Sequence, residues 1–132
     1  MPDNDPDVGS AELEVLKTLW SIAPATVREV MNDLHARGRN VAYTTVLTFL
    51  ARLEQKGMVS SDKSGVAYVY RPRVSRERVS KSRLENLLSE LYDGAAGALV
   101  LQLVREQNLT HDEISELQQL IHTLDKADRE ER

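Results

Sequence analysis

The chain of 132 residues contains no cysteine. That excludes a disulfide framework, a thiolate metal site and a cysteine nucleophile, and nothing in the composition calls for an oxidising compartment. No long apolar run is present either. The longest uncharged one, residues 94–104, falls far short of the roughly 20 residues that cross a bilayer. The first ten residues carry Asp3, Asp5 and Asp7 and lack the basic-then-apolar order of a signal peptide. A soluble, cytoplasmic protein without membrane insertion is the expectation. Glycine-rich phosphate loops, internal repeats, low-complexity stretches and long linkers are missing as well.

Groupings that support catalysis are equally scarce. The three histidines are scattered, and no Ser, His and Asp set has a recognisable local motif. His111 and His122 would share one helix face at about 16 Å along the axis, too far to hold one metal. No enzyme, no metal and no cofactor is expected. At this length the chain makes one small globular domain or two very small ones.

What is present is an uneven distribution of charge. The net charge is −4, yet residues 1–7 hold three acids and no base, residues 8–83 thirteen Lys or Arg against seven acids, and residues 84–132 four against eleven. A basic region beside an acidic one points to two tasks, one of them facing an anion. The plainer alternative is ordinary variation in solvated surface charge.

Hydrophobic periodicity supplies the elements. Ser10 is placed to cap a first helix with Leu13, Leu16, Leu19 and Trp20 on one stripe, ending before Pro24. Thr26-Val27-Arg28-Glu29 has the form of a capping box ahead of Val30, Met31 and Leu34, with Gly38 as the stop. A third helix begins between Asn40 and Tyr43, buries Val46, Phe49, Leu50 and Leu53, and ends at Gly57. The period then becomes two. Residues 58–62 and 66–71 read as strands around a tight Lys63-Ser64-Gly65 turn, with Val66, Tyr68 and Tyr70 on one face and Pro72 closing the hairpin. Ser75 starts a fourth helix that stops at Asp93-Gly94; a short apolar segment follows as far as Asn108; Thr110 to Glu113 forms a second capping box ahead of Ile114, Leu117, Leu120, Ile121 and Leu124.

This pattern predicts a mainly α chain with a small β-hairpin, a winged helix-turn-helix domain followed by a helical dimerisation domain. The boundaries are an acidic tail over 1–9, the winged domain over 10–73, the helical domain over 74–127 and a frayed end over 128–132. Once its apolar stripe is buried, the third helix offers Thr44, Thr45, Thr48, Arg52 and Gln55, a set suited to a groove of DNA, where threonine can meet base edges or phosphates. Lys63 and Arg71 on the hairpin are placed for neighbouring phosphates, although lysine at a hairpin tip also serves to block edge pairing. Arg73, Arg76, Arg78, Lys81 and Arg83 crowd the start of the fourth helix against its dipole, which suits either phosphate contact or a solvated helix start. The leucines Leu84, Leu87, Leu88, Leu91, Leu99, Leu103, Leu117, Leu120 and Leu124 are too few to close a core alone and call for a second copy of the chain, or else for packing on the first domain.

Several of these segments also resemble a known family. Leu13-Glu14-Val15-Leu16 with Leu19-Trp20, Thr26-Val27-Arg28-Glu29-Val30, Ala42-Tyr43-Thr44-Thr45-Val46-Leu47-Thr48, Arg52-Leu53 with Lys56-Gly57, and Tyr68-Val69-Tyr70 with Pro72 are similar to the penicillinase repressors, over about residues 8–125. The resemblance implies a homodimeric winged-helix repressor on a palindromic, double-stranded operator, controlling β-lactamase or related resistance and stress genes. It gives Thr44, Thr45, Thr48 and Arg52 the contact role, sets Tyr43 at the groove entrance and assigns dimerisation to the C-terminal helices. It further implies a sensor-linked protease cutting an Asn-Phe bond in a segment similar to Leu99 to Leu103, where this chain has Gln102-Leu103 instead. A copper-responsive branch uses C-terminal cysteines, which this chain lacks. The competing expectation is a winged-helix module that binds protein through the same surfaces.

Overall fold

The computed structural model describes residues 9–131, so all but the last residue of the expected acidic tail lies outside the described residues. The elements run α1 (Ser10–Ile22), β1 (Ala25–Thr26), α2 (Val27–Ala36), α3 (Tyr43–Gln55), β2 (Val59–Asp62), β3 (Val69–Pro72), α4 (Arg76–Tyr92), α5 (Ala96–Glu106) and α6 (His111–Glu130). Two compact units form, one ending at Asn86 and one beginning at Leu87. The division therefore falls inside α4, whereas the boundary expected from sequence lies at residue 73, before that helix.

The first unit is a three-helix winged domain. Val15, Leu16 and Leu19 of α1, Val30 and Leu34 of α2, and Val46, Leu50 and Leu53 of α3 are buried together with Met58, Val59 and Tyr70. Burying each aliphatic side chain contributes about 1.5–3 kcal/mol, so these three helix stripes dominate the stability of the unit. Burial also holds the Tyr70 hydroxyl above its ordinary pKa, with the Glu54 carboxylate adding to the effect. The strands form one antiparallel sheet in the order β1-β3-β2, pairing Ala25 with Tyr70 and Ser61 with Tyr70 on its two sides.

Local chemistry explains most boundaries. The Thr26 hydroxyl accepts the Glu29 amide at 3.2 Å and the Glu29 carboxylate accepts the Thr26 amide at 2.9 Å, the expected capping box. Replacing Thr26 by alanine is expected to cost about 0.5–2 kcal/mol, seen as a lower urea midpoint with an unchanged slope. A second box joins Thr110 and Glu113 at the start of α6. Bonds from the Thr110 amide and hydroxyl hold the Glu113 carboxyl below its ordinary pKa. That cap is complete above the ordinary glutamate range and is lost as pH falls through the lowered value.

The structure departs from the expected elements in four places. Ser10 lies inside α1, because the extended Gly9 is the N-cap and its carbonyl takes the Leu13 amide at 2.8 Å. Strand β1 is too short to show a period. The second hairpin strand starts at Val69 rather than Val66, since the Asp62 carboxylate captures the Ser64 hydroxyl at 2.6 Å and its amide at 2.9 Å and draws the chain off the ladder. The same bonds, the hydroxyl first, hold the Asp62 carboxyl below its ordinary pKa. Val66 and Tyr68 are consequently exposed while Tyr70 is buried, and Pro72 ends β3 opposite Val59. Helix α6 continues to Glu130, with an Arg129 to Asp125 pair at 3.4 Å across its last turn, so residues 128–130 of the end expected to fray are helical.

The start of α4 is tied to α1. Trp20 Nε1 donates to the Val74 carbonyl at 2.8 Å, and the Arg76 guanidinium lies 5.0 Å from the Trp20 ring centroid. Ser75 caps the helix by accepting the Arg78 amide at 3.1 Å. A cation on an aromatic face offsets part of the dipole penalty that made this arginine cluster unexpected. No single helix among the described residues is long and apolar enough to cross a membrane.

Candidate nucleic-acid interface

Helix α3 buries Val46, Leu50 and Leu53 and leaves the opposite side open. Thr44, Thr48, Arg52 and Gln55 are exposed or nearly so there, and Thr45 is half-buried. The Thr48 hydroxyl donates to the Thr44 carbonyl at 2.9 Å, so it has its acceptor side and its methyl left for an outside partner. Ala42 is the N-cap and gives no side-chain bond, which leaves first-turn amides of α3 without a side-chain partner.

The turn that presents this helix is pinned to α1 by charge. Arg37 reaches Glu14 at 3.7 Å and Asp33 at 3.2 Å and also bonds the Thr18 hydroxyl; Arg39 reaches Glu14 at 3.5 Å. His35 Nε2 donates to the Val41 carbonyl at 2.7 Å. At the far end of α3 the Lys56 ammonium sits 2.8 Å from the buried Glu12 carboxylate. These contacts fix the turn before α3 and the C-terminal end of the helix, and no sequence signal marks those to α1 because the partners lie up to 44 residues apart.

Beside α3 stands the wing. Lys63 is exposed at its tip with the ammonium 5.6 Å from the Tyr68 ring centroid, and Arg71 is exposed on β3. Tyr43 opens α3 and carries the Arg28 guanidinium at 5.6 Å from its ring centroid. Tyr43, Leu47, Val66 and Tyr68 line one groove together with the N-terminal residues of α2. Sequence reasoning singles out neither Arg28 nor Leu47 for this surface. Leu47 is hidden because a leucine on a helix reads as core until neighbouring residues show that the core is already filled.

The second unit has a different character. Among its described residues only Leu99 is buried, while Leu91, Leu103, Leu120 and Leu124 are exposed, along with Val100, Leu101, Val104, Ile114 and Ile121. Leu88 and Leu117 are half-buried and Leu87 is exposed, as is Leu84 at the end of the first unit. Gln102 and Leu103 are exposed within α5, and the Gln102 side-chain oxygen accepts the Tyr92 hydroxyl. No cluster of His, Cys, Asp and Glu able to hold a metal occurs among the described residues.

Comparison with known proteins assigns this arrangement. The penicillinase repressor family model matches residues 8–123. The penicillinase repressor of Bacillus licheniformis is 29% identical over 116 residues, covering 88% of this chain and 90% of that protein. The methicillin resistance regulatory protein MecI of Staphylococcus aureus (strain N315) is 25% identical over 116 residues, covering 88% and 94%. A solution structure of the DNA-binding domain of the repressor BlaI is 31% identical with a TM-score of 0.50, covering 57% of this chain and 90% of that one. Because the family match runs through both compact units, the chain belongs as a whole to the penicillinase repressor family and is a winged-helix transcriptional repressor, not an enzyme.

Proposed function

We propose that the chain acts as a homodimer on a palindromic double-stranded operator and represses β-lactamase or related resistance and stress genes. The observation that carries this reading is the exposed face of α3. Thr44, Thr48 and Arg52 stand free of the core on a helix whose preceding turn and C-terminal end are both tied to α1, the arrangement a reader of the major groove requires. Thr44, Thr45 and Thr48 take base edges and backbone, Arg52 takes phosphate, Tyr43 stands at the entrance, and Lys63 and Arg71 hold the backbone beside the wing. The related region of BlaI is a DNA-binding domain, which supports the same role for the first unit here.

The second unit supports the dimer. With one buried apolar residue and a row of exposed leucines, it cannot be stable as it stands, and a second copy supplies the missing partner. Two first units are then offered to two half-sites. A sensor-linked protease acting at Gln102-Leu103 would meet a helical bond, so α5 has to unwind locally before cleavage.

The test compares the purified chain on its own upstream DNA and on a scrambled duplex of equal length, at two salt concentrations. Preference for the native duplex by roughly several hundredfold, surviving added salt, is the expected result. Equal, weak binding that falls with salt on both duplexes rules the reading out and favours a protein-binding module.

A further inference from the structure

Among the described residues of the first unit five large apolar side chains are exposed, and four of them, Tyr43, Leu47, Val66 and Tyr68, line a single groove of about 490 Å³ between α3, the wing and the start of α2. Leu47 lies between Thr44 and Thr48 on the recognition helix and is 39% exposed. It takes no part in the core, which α3 reaches through Val46, Leu50 and Leu53. Cations stand at the rim, Arg28 over Tyr43 and Lys63 over Tyr68. An occupant that fits carries an apolar spot flanked by negative charge. In a DNA major groove the C5-methyl of thymine is the distinctive apolar group on a base edge, and phosphates border it on both sides.

We propose that Leu47 reads a thymine, its side chain packing on the C5-methyl in the groove shared with Tyr43 and the wing while Arg28 and Lys63 face the flanking phosphates. This rests on the operator-binding reading and adds the base identity read at one position. An uncharged apolar occupant would fill the groove but leave the two rim cations without a counter-charge, whereas duplex DNA presents the methyl and the flanking phosphates together. Threonine hydroxyls accept several base patterns, whereas a leucine discriminates by the presence of one methyl group, so the groove supplies specificity that the threonines alone do not.

The experiment takes the shortest upstream duplex that the full chain binds specifically and replaces each thymidine of one half-site by deoxyuridine, one at a time, which removes only the methyl. One replacement is expected to weaken binding about fourfold, the effect of one buried methyl group. The variant Leu47→Ala is expected to bind the thymidine duplex more weakly by a similar factor and to become indifferent to that replacement, with an unchanged thermal midpoint. A specifically bound duplex indifferent to deoxyuridine at every position overturns the proposal, as does Leu47→Ala retaining the full sensitivity. If the unmodified chain shows no preference for any upstream duplex over scrambled DNA, the operator reading fails first and this inference falls with it.

Discussion

Replacing Leu50 by alanine is expected to remove about 2–5 kcal/mol of stability and to lower the thermal midpoint of the first unit by on the order of 10–30 °C. Leu50 is fully buried in the middle of α3, against a core that includes Leu16, Leu19, Val30 and Leu53. Truncation removes the branched end of the side chain and leaves a cavity that helices on several sides cannot collapse to fill. Since a small domain holds only about 5–15 kcal/mol in total, much of the population unfolds near growth temperature, and operator binding is lost through folding, not through contact. Circular dichroism and the fluorescence of Trp20 should report one coincident transition. Val66→Ala is the control: the side chain is fully exposed, and its midpoint is expected to stay close to that of the parent. A Leu50→Ala midpoint equally unmoved would mean that α3 does not share the core described above.

The double substitution Thr44→Ala with Thr48→Ala is expected to lower affinity for the operator roughly 10–100-fold while changing affinity for a scrambled duplex by less than about threefold. Both residues lie on the open face of α3, so no core contact is removed. Alanine is the better helix former by a few tenths of a kcal/mol, and losing the bond from the Thr48 hydroxyl to the Thr44 carbonyl leaves that carbonyl with its ordinary helical partner. Folding should therefore hold or improve slightly, which separates this result from that of Leu50→Ala. Binding isotherms on both duplexes at one salt concentration provide the measurement. An equal loss on both would move the threonines from base edges to phosphates.

The two substitutions also show how far the sequence can be read. Spacing with Val46 and Leu53 assigns Leu50 to the core, and the same periodicity puts Thr44 and Thr48 on the opposite face, because a helix repeats every 3.6 residues and the faces follow once the stripe is known. The two capping boxes are legible for a similar reason: donor and acceptor lie three residues apart, and the bonds close within one turn. The hairpin is less legible. Alternation from Val66 to Tyr70 has the period of a strand, but the Asp62 carboxylate competes for the chain through Ser64 and delays the ladder to Val69. Strand β1 escapes notice because two residues, Ala25 and Thr26, become a strand only by meeting β3.

By itself the sequence determined the helices, the two capping boxes, the stripe that makes the core, the face that is left over and the division into a basic and an acidic region. All of these depend on interactions within about one turn of helix or on sums over composition. Only the tertiary structure decided that Glu14 and Thr18 of α1 hold the turn before α3 and Glu12 its far end, that Arg76 rests on Trp20, and that Tyr43, Leu47, Val66 and Tyr68 share one groove. Those pairings bring together residues far apart in the chain, and no periodicity records which distant side chains will meet when three apolar stripes close on one another.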